Sequence, residues 1–190
     1  MNDLQKKSKK HYIIEAAAEL FTEKGFKASS IRELAQRVGL EPSSIYSHIH
    51  SKEELLITIC TNCASRFTEG MQSIKSTPKS SLEKVEMLIG LHVETAFEDP
   101  AAIAVFSEEW RHLPEPYLTI FKDAKKQYEQ NFRLIIKQGM DEGTIREMDT
   151  NIVFNTIIHA VRWPYFSGKK YDRKKISETI TQILMHGLKK

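Results

Sequence analysis

Cysteine is nearly missing: Cys60 and Cys63 are the two in 190 residues, too few for a disulfide framework. No apolar run approaches the length that spans a membrane, so no membrane partner is expected. The charged N-terminus is not followed by the apolar stretch of a secretory signal, and the expectation is a cytoplasmic protein. Alternating runs of Val, Ile, Thr and aromatic residues, the mark of strands, are scarce. Proline and glycine are few as well, six and eight, which leaves room for long unbroken helices. A phosphate loop, a nucleophile elbow and a paired-carboxylate motif are all lacking, so no enzyme, cofactor or metal is expected. The seven histidines are scattered without metal-ligand spacing.

What is present is globular: 41% hydrophobic and 28% charged residues, in a chain long enough to bury a full core. The net charge of +3 divides into +1 over residues 1–55, with nine Lys/Arg against eight Asp/Glu, and +2 over the rest. The first ten residues hold Lys6, Lys7, Lys9 and Lys10 against Asp3 alone. That is either a basic arm that lies along phosphates or a solvated terminus.

Helical periodicity runs through the chain. Ile14, Ala17, Ala18 and Phe21 make one apolar face, and Gly25 stands where a left-handed C-terminal cap would go. Ser30-x-x-Glu33 is a capping box for a second helix, which ends at Gly39. Pro42 suits the first position of a short third helix reaching about Ile49. Ser51-x-x-Glu54 opens a long fourth helix to about Ser76, and Ser80-x-x-Glu83 a fifth. Asp99-Pro100 begins a helix to about His112, and another runs from about Tyr117 to Gly139 or Gly143. Asp149 and Asp172 cap the last two, the first bent or ended by Pro164. The fold class is therefore all-α, about nine helices. The boundary falls near residue 50, where three short helices give way to long ones, dividing the chain into 1–50 and 51–190.

The strongest motif lies between Ile31 and Ile49. Two helices that cross steeply over a short turn come very close, which demands a small residue at the crossing, and Ala35 supplies it. The turn needs positive φ, which Gly39 adopts at little cost. Ile45 would pin the second helix against Leu34, Val38 and Leu40. An ordinary helical hairpin has the same three residues at its disposal.

From Ile14 to Leu56 the chain resembles the DNA-binding region of the TetR family of bacterial regulators. The matching residues are Ala17, Ala18, Phe21, Gly25-Phe26, Ser29-Ser30-Ile31, Leu34-Ala35, Val38-Gly39-Leu40, Ile45-Tyr46, His48 and Ser51-Lys52-Glu53-Glu54-Leu55. The resemblance implies a recognition helix from Pro42 to His48 in the major groove, with Ser43 and Ser44 at the base edges. It implies phosphate contacts by Tyr46, His48 and Lys52, and by the start of the second helix at Ser29-Ser30. The family commonly has Ser or Thr where Glu41 stands, and Gly or Ala where Ser43 stands. Glu41 could cap the helix, accept from a cytosine amino group, or point to solvent.

A single helix-turn-helix reads few bases, and dimers read two half-sites of a palindromic operator on double-stranded DNA. The last two helices are the expected homodimer surface, with Ile157, Ile158 and Val161 on one and Ile176, Ile180 and Leu184 on the other. The alternative is that these faces belong to the protomer's own core. Candidate contacts for a small-molecule effector are Phe106, Trp110, Tyr128, Phe132, Arg162 and Trp163, with Arg133 as a further polar group. The C-terminal half is also similar to TetR regulators that respond to acyl-coenzyme A thioesters. The similarity lies in Glu109-Trp110-Arg111-x-Leu113, Tyr128-x-x-x-Phe132-Arg133, Gly139-x-x-x-Gly143 and Trp163-x-x-Phe166. The expected function is a repressor released from its operator by such a compound, or by an aromatic or hydrophobic one. A helical enzyme or a ligand-independent DNA-binding protein is the alternative. Cys60-x-x-Cys63 reads as a redox or half-metal pair, or as plain packing.

Overall fold

The computed structural model describes residues 3–162 and 172–190, with side chains from Lys9 onward except that of residue 173. Among the described residues it contains nine α-helices, one 3-10 turn and no strand. The helices are α1 (Asp3–Lys24), α2 (Ile31–Arg37), α3 (Pro42–Tyr46), α4 (Lys52–Ser76), α5 (Ser81–Glu98), α6 (Pro100–Glu108), α7 (Tyr117–Asp141), α8 (Thr150–Arg162) and α9 (Arg173–Leu188). The chain forms two compact units: residues up to 63 with 101–121, and residues 64–100 with 122–190.

In the first unit, α1 buries Ile13, Ala17, Leu20 and Phe21, while Ile14, expected on that face, is only half-buried. The buried stripe is rotated by one residue because Ile13 and Leu20, seven apart, share a helix face with Ala17. The helix also begins further upstream than its apolar face suggests, so Lys6, Lys7, Lys9 and Lys10 lie on helical backbone. Gly25 ends it with φ +83°, and its N–H donates to the Phe21 carbonyl at 2.8 Å. The helix from Pro100 was expected to reach about His112; it ends at Glu108, and a 3-10 turn spans Trp110–His112.

The second unit is built on the capping box at Ser80, whose hydroxyl accepts from the Glu83 N–H at 3.3 Å while the Glu83 carboxylate accepts from the Ser80 N–H at 2.9 Å. The core sets Val85, Leu88, Ile89 and Val93 of α5 among Phe132 and Ile136 of α7. Ile157 and Val161 of α8, and Ile176, Ile180 and Leu184 of α9, complete it. These last five, expected across a two-fold axis, therefore lie in the protomer's own core, with Ile158 partly buried against it. A 3.6-residue repeat marks an apolar face, not which surface covers it. The isoleucines that α8 and α9 leave in solvent are Ile152 and Ile183, at 68% and 67% exposure. The C-terminal end of α9 is held by Arg146, whose N–H donates to the Leu188 carbonyl at 2.9 Å and whose Nε donates to Lys189 O at 2.8 Å.

Candidate nucleic-acid interface

The interface begins at the corner between α1 and α2. Ser30 is extended (φ −128°, ψ 155°) and caps α2 through a complete capping box. Its hydroxyl accepts from Glu33 N–H at 3.2 Å, and its own N–H donates to the Glu33 carboxylate at 2.9 Å. Lys24 reaches the same carboxylate at 2.5 Å. These donors, Lys24 first, hold the Glu33 carboxyl at about 2, so it caps as an anion. The Ser30 N–H, expected to face a phosphate, is therefore engaged inside the box. Helix geometry leaves the N–H groups of Ile31 and Arg32 as the outward donors of this helix end. Ser29 is buried, and its hydroxyl donates to the Gly25 carbonyl at 2.7 Å.

Gly39 turns the chain between α2 and α3 with φ +66°. A Cβ there would meet nothing within 4 Å, so the demand for glycine comes from the backbone alone. Ala35 is 1% exposed between the two helices, and the Leu40 N–H donates to its carbonyl at 2.9 Å. On α3 the burial alternates sharply. Ile45 is 0% exposed, while its neighbour Tyr46 is 53% exposed. Glu41 and Ser43 are exposed, and Ser44 and His48 are half-buried. Glu41 occupies the N-cap position without making a side-chain cap bond, so the capping role is not taken up. Ser47, which the sequence reading did not single out, is exposed one residue beyond Tyr46, with its hydroxyl on the Ser44 carbonyl at 2.7 Å. Lys27 and Arg32 are further exposed cations at this corner that it passed over; only their position beside the cap could have flagged them.

Lys52 opens α4. Its ammonium donates to the carbonyls of Phe26 and Ser29 at 2.7 and 2.8 Å and lies 4.4 Å from the centre of the Phe26 ring. Two residues on, Glu54 accepts from the His50 N–H at 2.6 Å and from Lys10 at 2.9 Å.

The aromatic candidates fall into two clusters. In the first unit Phe121 meets Phe106 edge-on at 5.2 Å and stacks on Trp110 at 5.3 Å. In the second unit Phe67 stacks on His92 at 4.6 Å, and Phe132 lies edge-on to Tyr128 at 6.3 Å. Within this second cluster His92 Nε2 and the Tyr128 hydroxyl are hydrogen-bonded at 2.8 Å. Burial lowers the His92 imidazole to about 4, so the ring is neutral at ordinary pH. His92 was not anticipated: it lies 36 residues from Tyr128, and no local pattern links them. Arg133 joins α7 to α8, donating to Asn151 at 3.0 Å with its guanidinium 4.1 Å from the Phe154 ring centre. Arg162 is half-buried at the end of α8, and Trp163, Tyr165 and Phe166 lie outside the described residues. Cys60 and Cys63 are buried, and desolvation pushes the Cys60 thiol up to about 12. A thiol held protonated in this way suits the packing role rather than a redox or metal-binding one.

An outward short helix pinned through Ile45, turned by Gly39 and preceded by a capped α2 defines a helix-turn-helix DNA-binding regulator. Residues 13–59 match the family described as bacterial regulatory proteins, tetR family, and residues 78–188 match the tetracyclin repressor-like C-terminal domain. The chain belongs to the TetR family of bacterial transcription regulators. Among its relatives is the HTH-type transcriptional repressor KstR2 of Mycobacterium tuberculosis (strain ATCC 25618 / H37Rv), 24% identical, with 98% of this chain and 96% of that one covered. The solved structure of KstR2 superposes with a TM-score of 0.89 at 22% identity, over 96% of this chain and 95% of that one. The fatty acid metabolism regulator protein of Bacillus subtilis (strain 168) is 25% identical, covering 97% of each chain. A crystal structure of AibR in complex with isovaleryl coenzyme A and operator DNA shares the fold, with a TM-score of 0.77 at 19% identity over 93% of this chain and 97% of that one. These relatives are regulators of transcription, not enzymes. No helix among the described residues is long and apolar enough to cross a membrane.

Proposed function

We propose that this chain is a cytoplasmic, ligand-responsive repressor that grips a palindromic operator as a homodimer and lets go when a small molecule binds, an acyl-coenzyme A thioester or an aromatic or hydrophobic compound. Residues 1–50 are the DNA-binding domain and 51–190 the ligand-binding and dimerisation domain. The observation that carries the DNA contact is the contrast on α3, with Ile45 sealed inside and Tyr46 half in solvent. Ser43 and Ser44 face base edges. Glu41 makes no side-chain cap bond to α3, which leaves its carboxylate able to accept from a cytosine amino group. Tyr46 and His48 donate to phosphates, as do the first-turn amides at the start of α2 beside Ser29 and Ser30. The outward faces of α8 and α9, with Ile152 and Ile183, meet the second copy.

Both aromatic clusters are candidate effector contacts, Phe106 and Trp110 in the first unit, Tyr128 and Phe132 in the second; Arg162 and Trp163 are the further candidates that the sequence offers. The buried His92–Tyr128 pair supports an effector with a neutral hydrogen-bonding group on an apolar body, because the ring at that depth carries no charge. A fatty or aromatic acyl-coenzyme A thioester has such a group in its carbonyl, and AibR is a family neighbour solved with isovaleryl coenzyme A. Helix α4 runs through both units, residues 52–63 in one and 64–76 in the other, which supports it as the element that carries the effector's influence. An effector releases DNA only by its difference in affinity between the two conformers. Calorimetry with fatty and aromatic acyl-coenzyme A thioesters, paired with duplex-release assays, tests the reading. Binding by a subset and release by the same subset is expected. Release by a compound outside these classes, with no thioester bound, would overturn the effector assignment and leave the DNA-binding one standing.

A further inference from the structure

We infer that Lys52 is a positioning residue whose ammonium straps the start of α4 to the α1–α2 corner, and that it does not neutralise a phosphate. The inference rests on the DNA-binding reading of the first unit. An ammonium has three N–H donors and no acceptor. Two of them are directed to backbone carbonyls, Phe26 O at 2.7 Å and Ser29 O at 2.8 Å. The remaining side of the nitrogen meets the face of the Phe26 ring, 4.4 Å from its centre. Phe26 itself is 6% exposed, fixed edge-on by Phe21 at 5.2 Å and stacked by His112 at 5.9 Å. The ring is thus a rigid seat for the ammonium. A phosphate contact would require Lys52 to give up at least one of these partners; releasing the Ser29 carbonyl would cost that oxygen the ammonium, whereas the Phe26 carbonyl would keep the Ser29 N–H at 3.3 Å.

The two carbonyls belong to the turn that ends at Ser30, the N-cap of α2. Fixing that turn to α4 sets the direction in which α2 leaves the corner, and with it α3, whose Ile45 is buried beyond Gly39. Lys52 therefore acts on DNA through the placement of other residues. Cation contacts to phosphate release counterions, and each one adds about 0.9 to the salt slope of binding to duplex DNA. A positioning cation adds nothing to that slope, and the two roles separate cleanly.

The experiment measures Kd for a fluorescent duplex of mixed sequence between about 50 and 200 mM salt. Wild-type binding is read first, and its absence would count against the DNA-binding reading itself. For Lys52→Met, at a temperature where circular dichroism finds the variant as folded as the wild type, Kd is expected to rise about tenfold at every salt concentration with the slope unchanged. Phe26→Leu removes the seat but leaves the ammonium free to swing outward. It is expected to weaken binding in the same way, and it carries the test if the methionine variant melts too low. A slope smaller by about 0.9 in Lys52→Met overturns the inference in favour of a phosphate contact. An unchanged Kd in both folded variants overturns it in favour of a purely stabilising strap.

Discussion

Ile45→Ala is expected to abolish operator binding under conditions where the wild type is saturated. The isoleucine has no exposed surface, and with Leu34 and Ala35 it forms the buried side of the motif. Truncating a buried isoleucine to alanine costs about 2–5 kcal/mol, through lost apolar burial and the cavity left behind. That is a large fraction of the roughly 5–15 kcal/mol that holds a domain together. Helix α3 spans only Pro42–Tyr46, far too short to persist without tertiary packing. Losing its anchor therefore unseats the helix that carries Ser43, Ser44 and Tyr46. A denaturant titration followed in parallel with duplex binding checks this. The midpoint should fall and the affinity with it. Wild-type affinity in a clearly destabilised variant would mean that α3 is not held by Ile45.

The second large effect is expected on assembly. Ile152 and Ile183 are mostly exposed on the protomer, so Ile152→Glu with Ile183→Glu should leave its thermal stability nearly unchanged. Burying an isoleucine side chain contributes about 1.5–3 kcal/mol. A two-fold interface repeats each contact, so the pair of substitutions removes about 6 kcal/mol or more from association before charge burial is counted. By the arithmetic of dissociation constants that is a weakening of at least about 10⁴-fold. Sedimentation velocity should find a monomer across micromolar concentrations, and operator affinity should fall with the loss of the second half-site. A dimer of unchanged stability would mean that other faces of the chain meet.

Much of this was legible in the sequence where the determinant is local. The capping boxes at Ser30–Glu33 and Ser80–Glu83 are complete, and Gly25 and Gly39 have positive φ. Each of these features is decided within a few residues, by hydrogen-bonding reach or by the absence of a Cβ. The exchange between core and surface on α8 and α9 was not legible, because Ile157 and Ile152 are equally apolar and the repeat alone ranks neither as interior. The same holds for Lys52 and Ser29. Both residue types suit phosphate contact, and only the fold turns the ammonium onto two carbonyls and the hydroxyl onto Gly25. His92 and Tyr128 meet by the packing of α5 against α7, a pairing no spacing rule encodes.

The most direct measurement is selection of duplexes from a random-sequence pool by the purified protein, followed by sequencing of what is retained. If α3 reads the major groove from each half of a two-fold dimer, the retained duplexes will carry an inverted repeat. Its half-sites will be centred about one helical turn apart, roughly 34–36 Å, or somewhat more. Retention of unrelated sequences, or of a lone half-site with no dyad, would contradict that arrangement.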